Sequence, residues 1–236
     1  MLNEGQIPIY EPGLNEIVKK NQYSERLNQG IIPIYEPGLD ELLKKNKKQK
    51  RLTFTTDIKK AVSNSDIIFI CVGTPTKNNS NSANLKYVFN VTRQLKKFIS
   101  KYKIIITKST VPVTTGDKIE KILINLKKKK LVDVVSNPEF LREGDAIRDF
   151  IYPDRVIIGT NSKKANRILK SLYLPIIKKT SRYFNTSRRG AEMIKYASNA
   201  FLATKISFIN ELANLCEKTN VDVKDISLGM GSDQRI

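Results

Sequence analysis

The sequence predicts an α/β fold: a partial Rossmann-like, doubly wound parallel sheet followed by a long connecting helix. Three observations predict it. Continuous apolar runs rich in β-branched residues, Asp66–Val72 (DIIFICV) and Lys103–Thr107 (KIIIT), read as strands buried on both faces. Segments of helical length separate such runs, and strands alternating with helices build parallel sheets. A proline-free stretch, Thr186–Lys218, carries Ile194, Ala197, Phe201, Phe208, Leu212 and Leu215, mostly three or four apart, on one helical stripe.

The chain opens on a repeat. Leu2–Asn21 (LNEGQIPIYEPGLNEIVKKN) returns at Leu27–Asn46 (LNQGIIPIYEPGLDELLKKN), identical at fifteen of twenty positions. Each copy reads as a short apolar stretch, a Glu-Pro-Gly turn and one or two helical turns. Two copies are too few to bury a solenoid core. A tandem duplication is expected, with the second copy seated in the fold because it leads directly into the periodic segments.

From Arg51 the elements follow in order. Leu52–Thr55 reads as a short strand, and Asp57 caps a helix through Ile58–Val62. The strand Asp66–Val72 precedes a polar loop and a helix over Leu85–Ile99. After Lys103–Thr107 comes a helix over Thr115–Leu126, then a strand over Leu131–Val135. Arg155–Ile158 reads as the last strand and Ser162–Leu172 as a helix. Ser187 or Thr186 caps the long helix, with Glu192 near the positive end of its dipole. At about 1.5 Å per residue that helix spans roughly 45–50 Å, longer than one small domain needs.

Composition bounds the function. The chain has 236 residues, 40% of them hydrophobic, enough for a real core. It contains no histidine, which excludes Ser-His and Cys-His nucleophile pairs. The two cysteines, Cys71 within a strand and Cys216 late in the long helix, show no metal-like spacing. No run of eighteen apolar residues spans a membrane, and Met1–Glu4 lacks a secretory pattern, so a cytoplasmic, membrane-free protein is expected. The formal charge of +19 invites a nucleic-acid partner. However, the lysines are spread over nearly every helix face and the aromatics are not interleaved with them. An anionic small-molecule ligand fits the charge equally well.

In doubly wound sheets, ligands bind beyond the carboxyl ends of the strands. Here those ends carry Gly73-Thr74-Pro75-Thr76, Lys108-Ser109-Thr110-Val111-Pro112 and Ser136-Asn137-Pro138-Glu139-Phe140-Leu141-Arg142-Glu143-Gly144. Gly73 permits close backbone approach, Thr74, Ser109 and Thr110 offer hydroxyls, and Glu139 and Glu143 offer carboxylates. If Phe140–Ala146 is helical, those two carboxylates share a face. Ordinary loop chemistry, with threonines capping helices and glutamates facing water, accounts for any one loop; three in succession point to a nucleotide site. On the long helix Lys195 and Asn199 lie four apart and point the same way. They are either solvated neighbours of a core stripe or site residues.

The segments IPIYEPGL, IFICVGTP, TKSTVPV, VVSNPEFLREGDAI, DRVIIG and EMIKYASNAFLATKISFINELANLCE, in this order, resemble the UDP-glucose 6-dehydrogenases of the UDP-glucose/GDP-mannose dehydrogenase family. The resemblance runs from Leu27 to Ile236. It implies NAD-dependent oxidation of the C6 alcohol of UDP-glucose to a carboxylate, by two hydride transfers through a cysteine thioester. By motif, Thr110 positions water and contacts the cofactor, Glu139 is the base, and Lys195 and Asn199 stabilise the oxyanion and orient the sugar. Phe140, Leu141 and Arg142, with Glu139, Lys195 and Asn199, line the substrate pocket. Gly73, Thr74, Pro75, Ser109, Thr110 and Glu143 line the NAD groove. The implied partners are a nucleotide sugar and, for the full-length protein, a second copy, with no specific nucleic acid. The implied domains are 1–26 outside the core, 27–186 a partial NAD-binding domain, and 187–236 the connecting helix and the start of a central, dimerising domain.

The sequence departs from the family pattern in three places. It has no G-x-G-x-x-G with its following acidic residue, and no cysteine-bearing segment after GMGSDQRI. Thr114 stands where a glycine is expected after STVPV. A chain truncated at both ends, without its nucleophile and pyrophosphate cradle, and inactive alone, is the expectation. The alternatives are a non-catalytic dimerising remnant and a related GDP-mannose or UDP-N-acetylmannosamine dehydrogenase.

Overall fold

The computed structural model describes residues 26–234 apart from 28, 33, 79, 81 and 178–181. The first repeat copy lies outside the described residues. The chain divides into two compact units, Met1–Met193 and Ile194–Ile236.

The first unit is built on a five-stranded sheet whose spatial order follows the sequence: β1 (Ile67–Ile70), β2 (Lys103–Thr107), β3 (Val132–Ser136), β4 (Arg155–Gly159) and β5 (Arg182–Thr186). β1, β2 and β3 are parallel in one continuous register, Ile70 opposite Thr107 and Thr107 opposite Ser136. β4 meets β3 antiparallel through a single pair, Ser136 and Gly159, and β5 runs parallel to β4. The sheet is therefore mostly parallel rather than wholly so.

The helices of this unit include α1 (Leu39–Lys48), α2 (Ile58–Ser63), α3 (Lys86–Phe98), α4 (Thr115–Ile122), α5 (Ile124–Lys128), α6 (Ala146–Ile151) and α7 (Lys163–Tyr173), followed by the root of the long α8 (Arg188–Thr219). Alternation along β2 sorts two cores. Ile105 joins Val62, Val88, Leu95 and Ile119 from α2, α3 and α4, while Ile104 and Ile106 join Ala165, Leu169 and Tyr173 of α7. Every residue of β2 is buried, as both covered faces require. Even Lys103 is buried there, its ammonium 3.7 Å from Asp66.

Some expectations change. Leu52–Thr55 forms no strand. β5 was not foreseen, because RYFNT lacks the apolar run of an inner strand; as the last strand of the sheet, it is half exposed. The helix expected over Thr115–Leu126 breaks at Leu123 into α4 and α5. Glu139–Asp145 is not helical, since α6 starts at Ala146, so Glu139 and Glu143 do not share a helical face. Cys71 falls one residue past β1 and is exposed rather than within the strand.

The second unit holds the rest of α8, whose full length is 32 residues, and α9 (Val223–Gly231). Asp222 caps α9 by accepting from the N–H of Lys224 at 2.8 Å. Cys216 is buried, but Phe201, Phe208 and Leu215 of the predicted stripe are more than half exposed. A helix this long carries its stripe past what its own domain covers. No helix among the described residues is long and apolar enough to cross a membrane, and among them no acidic and sulfur-bearing cluster forms a metal site.

Candidate active site

Because β1, β2 and β3 run parallel, their carboxyl ends deliver three loops to one rim. The loops are tied to one another by their own hydrogen bonds. The Thr74 hydroxyl donates to the carbonyl of Thr110 at 2.8 Å, joining the first loop to the second. The Ser109 hydroxyl donates back to the carbonyl of Val72 at 2.6 Å. The N–H of Asn137 donates to the carbonyl of Thr107 at 2.9 Å, joining the third loop to the second. Asn137 is itself buried: its amide donates to the carbonyl of Ile157, and its side-chain oxygen accepts from the Tyr173 hydroxyl. Lys108 reaches the same oxygen at 3.5 Å. Burial pushes the Tyr173 phenol well above its usual range, so it stays a donor.

The structure thus brings Gly73, Thr74, Pro75, Ser109, Thr110 and Asn137–Glu139 onto one rim. An added Cβ at Gly73 meets nothing within 4 Å, so the backbone there is open to a ligand. Beyond Pro138 the chain turns on its own bonds. The Glu139 carboxylate accepts from the N–H of Leu141 at 2.7 Å. Arg142 points away from this bond: its guanidinium donates to Asp145 and Asp149, and its backbone N–H also reaches Asp149 at 2.9 Å. The Arg155 guanidinium stacks over the Phe140 ring, 4.4 Å from its centre. Glu143 and Leu141 are exposed.

Two carboxylates distant in sequence brace this rim, and sequence reasoning missed both. Glu36 of the second repeat copy accepts from the N–H groups of Gly144 at 3.1 Å and Ala146 at 2.8 Å, capping the start of α6. Glu192, read as a dipole partner of its own helix, instead accepts from the N–H groups of Thr114 and Gly116 at the start of α4. No local signal marks Glu36, whose contacts lie over a hundred residues away. Glu192 carried a signal: Glu192, Lys195 and Asn199 share one edge of a helix at spacings of three and four. Ser187 caps α8 as expected, accepting from the N–H of Gly190 at 3.0 Å. In the second unit, Lys195 is buried, so it is not the solvated lysine of the simpler reading, and Asn199 is exposed.

The residues of the rim fit part of a dinucleotide, with an open glycine and hydroxyls beyond parallel strands. The pyrophosphate cradle G-x-G-x-x-G is not in the sequence, and its nearest approach, Gly229-Met230-Gly231, lies within α9.

Fold and rim together define a Rossmann-type, dinucleotide-linked class of protein. The NAD binding domain of the UDP-glucose/GDP-mannose dehydrogenase family matches residues 25–177, and the central domain of that family matches residues 189–236. The chain belongs to the UDP-glucose/GDP-mannose dehydrogenase family. It is 48% identical over its whole length to a UDP-glucose 6-dehydrogenase of Rhizobium meliloti, covering 48% of that protein. Among solved structures, a UDP-glucose dehydrogenase from Pyrobaculum islandicum superposes with a TM-score of 0.86 at 37% identity, over 92% of this chain and 50% of that one. A GDP-mannose dehydrogenase from Pseudomonas aeruginosa superposes with a TM-score of 0.85 at 34% identity, over 91% and 50% of the two chains. The chain spans about half the length of these relatives.

Proposed function

We propose that the protein serves the NAD-dependent oxidation of UDP-glucose at C6 to UDP-glucuronate. The observation that carries this reading is the cross-tied rim at the carboxyl ends of β1, β2 and β3 in a chain of this family. Thr110 orients water with its hydroxyl, and Glu139 takes a proton as base. The Lys195 ammonium and the Asn199 amide meet the developing oxyanion and the sugar, where preorganised donors lower the barrier most. The backbone carbonyls of Phe140, Leu141 and Arg142 line the nucleotide sugar, since the N–H groups of Leu141 and Arg142 and the Arg142 guanidinium are already engaged. Gly73, Thr74, Pro75, Ser109 and Glu143 line the cofactor, and NAD when bound accepts the hydride. In the finer reading a cysteine carries the intermediate as a thioester. Neither Cys71 nor the buried Cys216 is assigned that role.

Calorimetric titration of the whole chain with UDP-glucose tests the reading, alongside absorbance at the NADH band after adding NAD. Saturable UDP-glucose binding, weakened about tenfold by Lys195→Ala, supports it. Absence of binding, or tighter binding of GDP-mannose, overturns the assignment of substrate.

The exposed Phe201, Ile206, Phe208 and Leu215 of α8 support a second reading, a homodimer through this helix. Sedimentation equilibrium at a single monomer mass rejects it.

A further inference from the structure

One carboxylate joins the two loops that bear Thr110 and Glu139. Glu192 is 3% exposed. One of its oxygens accepts from the N–H of Thr114 at 2.7 Å. The other accepts from the N–H of Gly116 at 2.7 Å and from the Ser136 hydroxyl at 3.1 Å. Thr114 and Gly116 close the turn that follows Thr110, and Ser136 closes β3 three residues before Glu139. The turn is stiff: the Thr115 hydroxyl and N–H both donate to the carbonyl of Pro112, at 2.6 and 3.1 Å. On the other side Asn137 is buried and bonded at both ends of its amide. Displacement of the carboxylate is therefore passed to both loops.

The seat is built around this group. An added Cβ at Gly116 would stand 3.0 Å from a Glu192 oxygen, 3.0 Å from the Ser136 hydroxyl and 3.1 Å from Arg188. Arg188, one turn earlier on α8, pairs with Asp117 at 2.8 Å and Glu120 at 2.7 Å, so the root of α8 is pinned along α4. All three groups facing the Glu192 carboxylate are donors, which an isosteric amide cannot match without setting its own N–H₂ against one of them.

We propose that Glu192 is a positioning residue that sets the spacing of the Thr110 loop against the Glu139 loop by holding Thr114, Gly116 and Ser136 on one carboxylate. The proposal rests on the functional reading for its consequence, not for its geometry. Burial raises the Glu192 carboxyl while the three donors oppose that rise.

The experiment compares the full chain with Glu192→Gln and Ser136→Ala by amide NMR and UDP-glucose titration. In the parent chain the amide protons of Thr114 and Gly116 titrate together, above the ordinary glutamate range. In Glu192→Gln that shared titration disappears, the amides of Thr110 and Glu139 move, those of α7 stay, and UDP-glucose binding weakens about tenfold. Ser136→Ala removes one donor only, and moves Glu139 more than Thr110 should Glu192→Gln not fold. Unmoved Thr110 and Glu139 amides in a folded variant overturn the proposal. Failure of the parent chain to bind UDP-glucose overturns the functional reading instead and leaves the amide test standing.

Discussion

Arg142 holds Asp149 by three hydrogen bonds, one from its backbone N–H and two from its guanidinium, at 2.9, 3.0 and 2.7 Å. The pair folds the Glu139–Asp145 segment onto α6, and it has a pH signature. The Arg142 side chain, with its backbone N–H second, holds the Asp149 carboxyl down at about 2. A depressed folded value contributes stability above the unfolded value of about 3.9, lost as pH falls through the folded one. A carboxyl-carbon NMR titration is expected to place the Asp149 midpoint near the lower value. Arg142→Gln is expected to move it back toward the ordinary range, and an unchanged midpoint would rule out the clasp.

Glu36 supplies the cap of α6 from the other side. Glu36→Ala is expected to cost roughly 1–2 kcal/mol in denaturant unfolding. It is also expected to speed hydrogen exchange at Gly144 and Ala146 selectively. Equal exchange at both amides in parent and variant would contradict the cap.

Thr114 occupies the left-handed region at φ 81° and ψ −2° just before α4. The family pattern carries glycine at this position, and the backbone geometry gives the reason. The strain of a threonine there, of order 1–3 kcal/mol, exceeds the extra unfolded-state freedom of glycine. Thr114→Gly is expected to stabilise the chain by about 1 kcal/mol. A lowered Tm would show that the Thr114 side chain contributes more than its backbone costs.

Gly159 lies where β4 meets the root of α8. An added Cβ would stand 2.7 Å from the Cβ of Ala191 and 2.8 Å from the Arg188 Cα and the Ser187 carbonyl oxygen. Two of these atoms are backbone and cannot turn aside. Gly159→Ala is expected to destabilise the chain by about 2–3 kcal/mol, whereas Gly73→Ala, with open space around it, is expected to unfold at the parent midpoint. Equal midpoints for all three chains would refute the packing argument.

The sequence by itself determined the inner sheet and the rim. Short runs rich in β-branched residues, such as KIIIT and VDVV, read as strands covered on both faces, and the loops after them follow from chain order once the strands are parallel. It also determined the long helix and its cap, because helical period and Ser187 capping are local properties. The tertiary structure alone decided the last strand, the single antiparallel join of β3 to β4, and the loss of a common face for Glu139 and Glu143. It alone assigned Glu192 to the start of α4 and Glu36 to the start of α6, 76 and 110 residues away in sequence. The physical reason is that a carboxylate withdrawn even partly from water takes its partners from whatever donors the fold brings near. Periodicity along one element can mark such a residue without naming the groups it will meet.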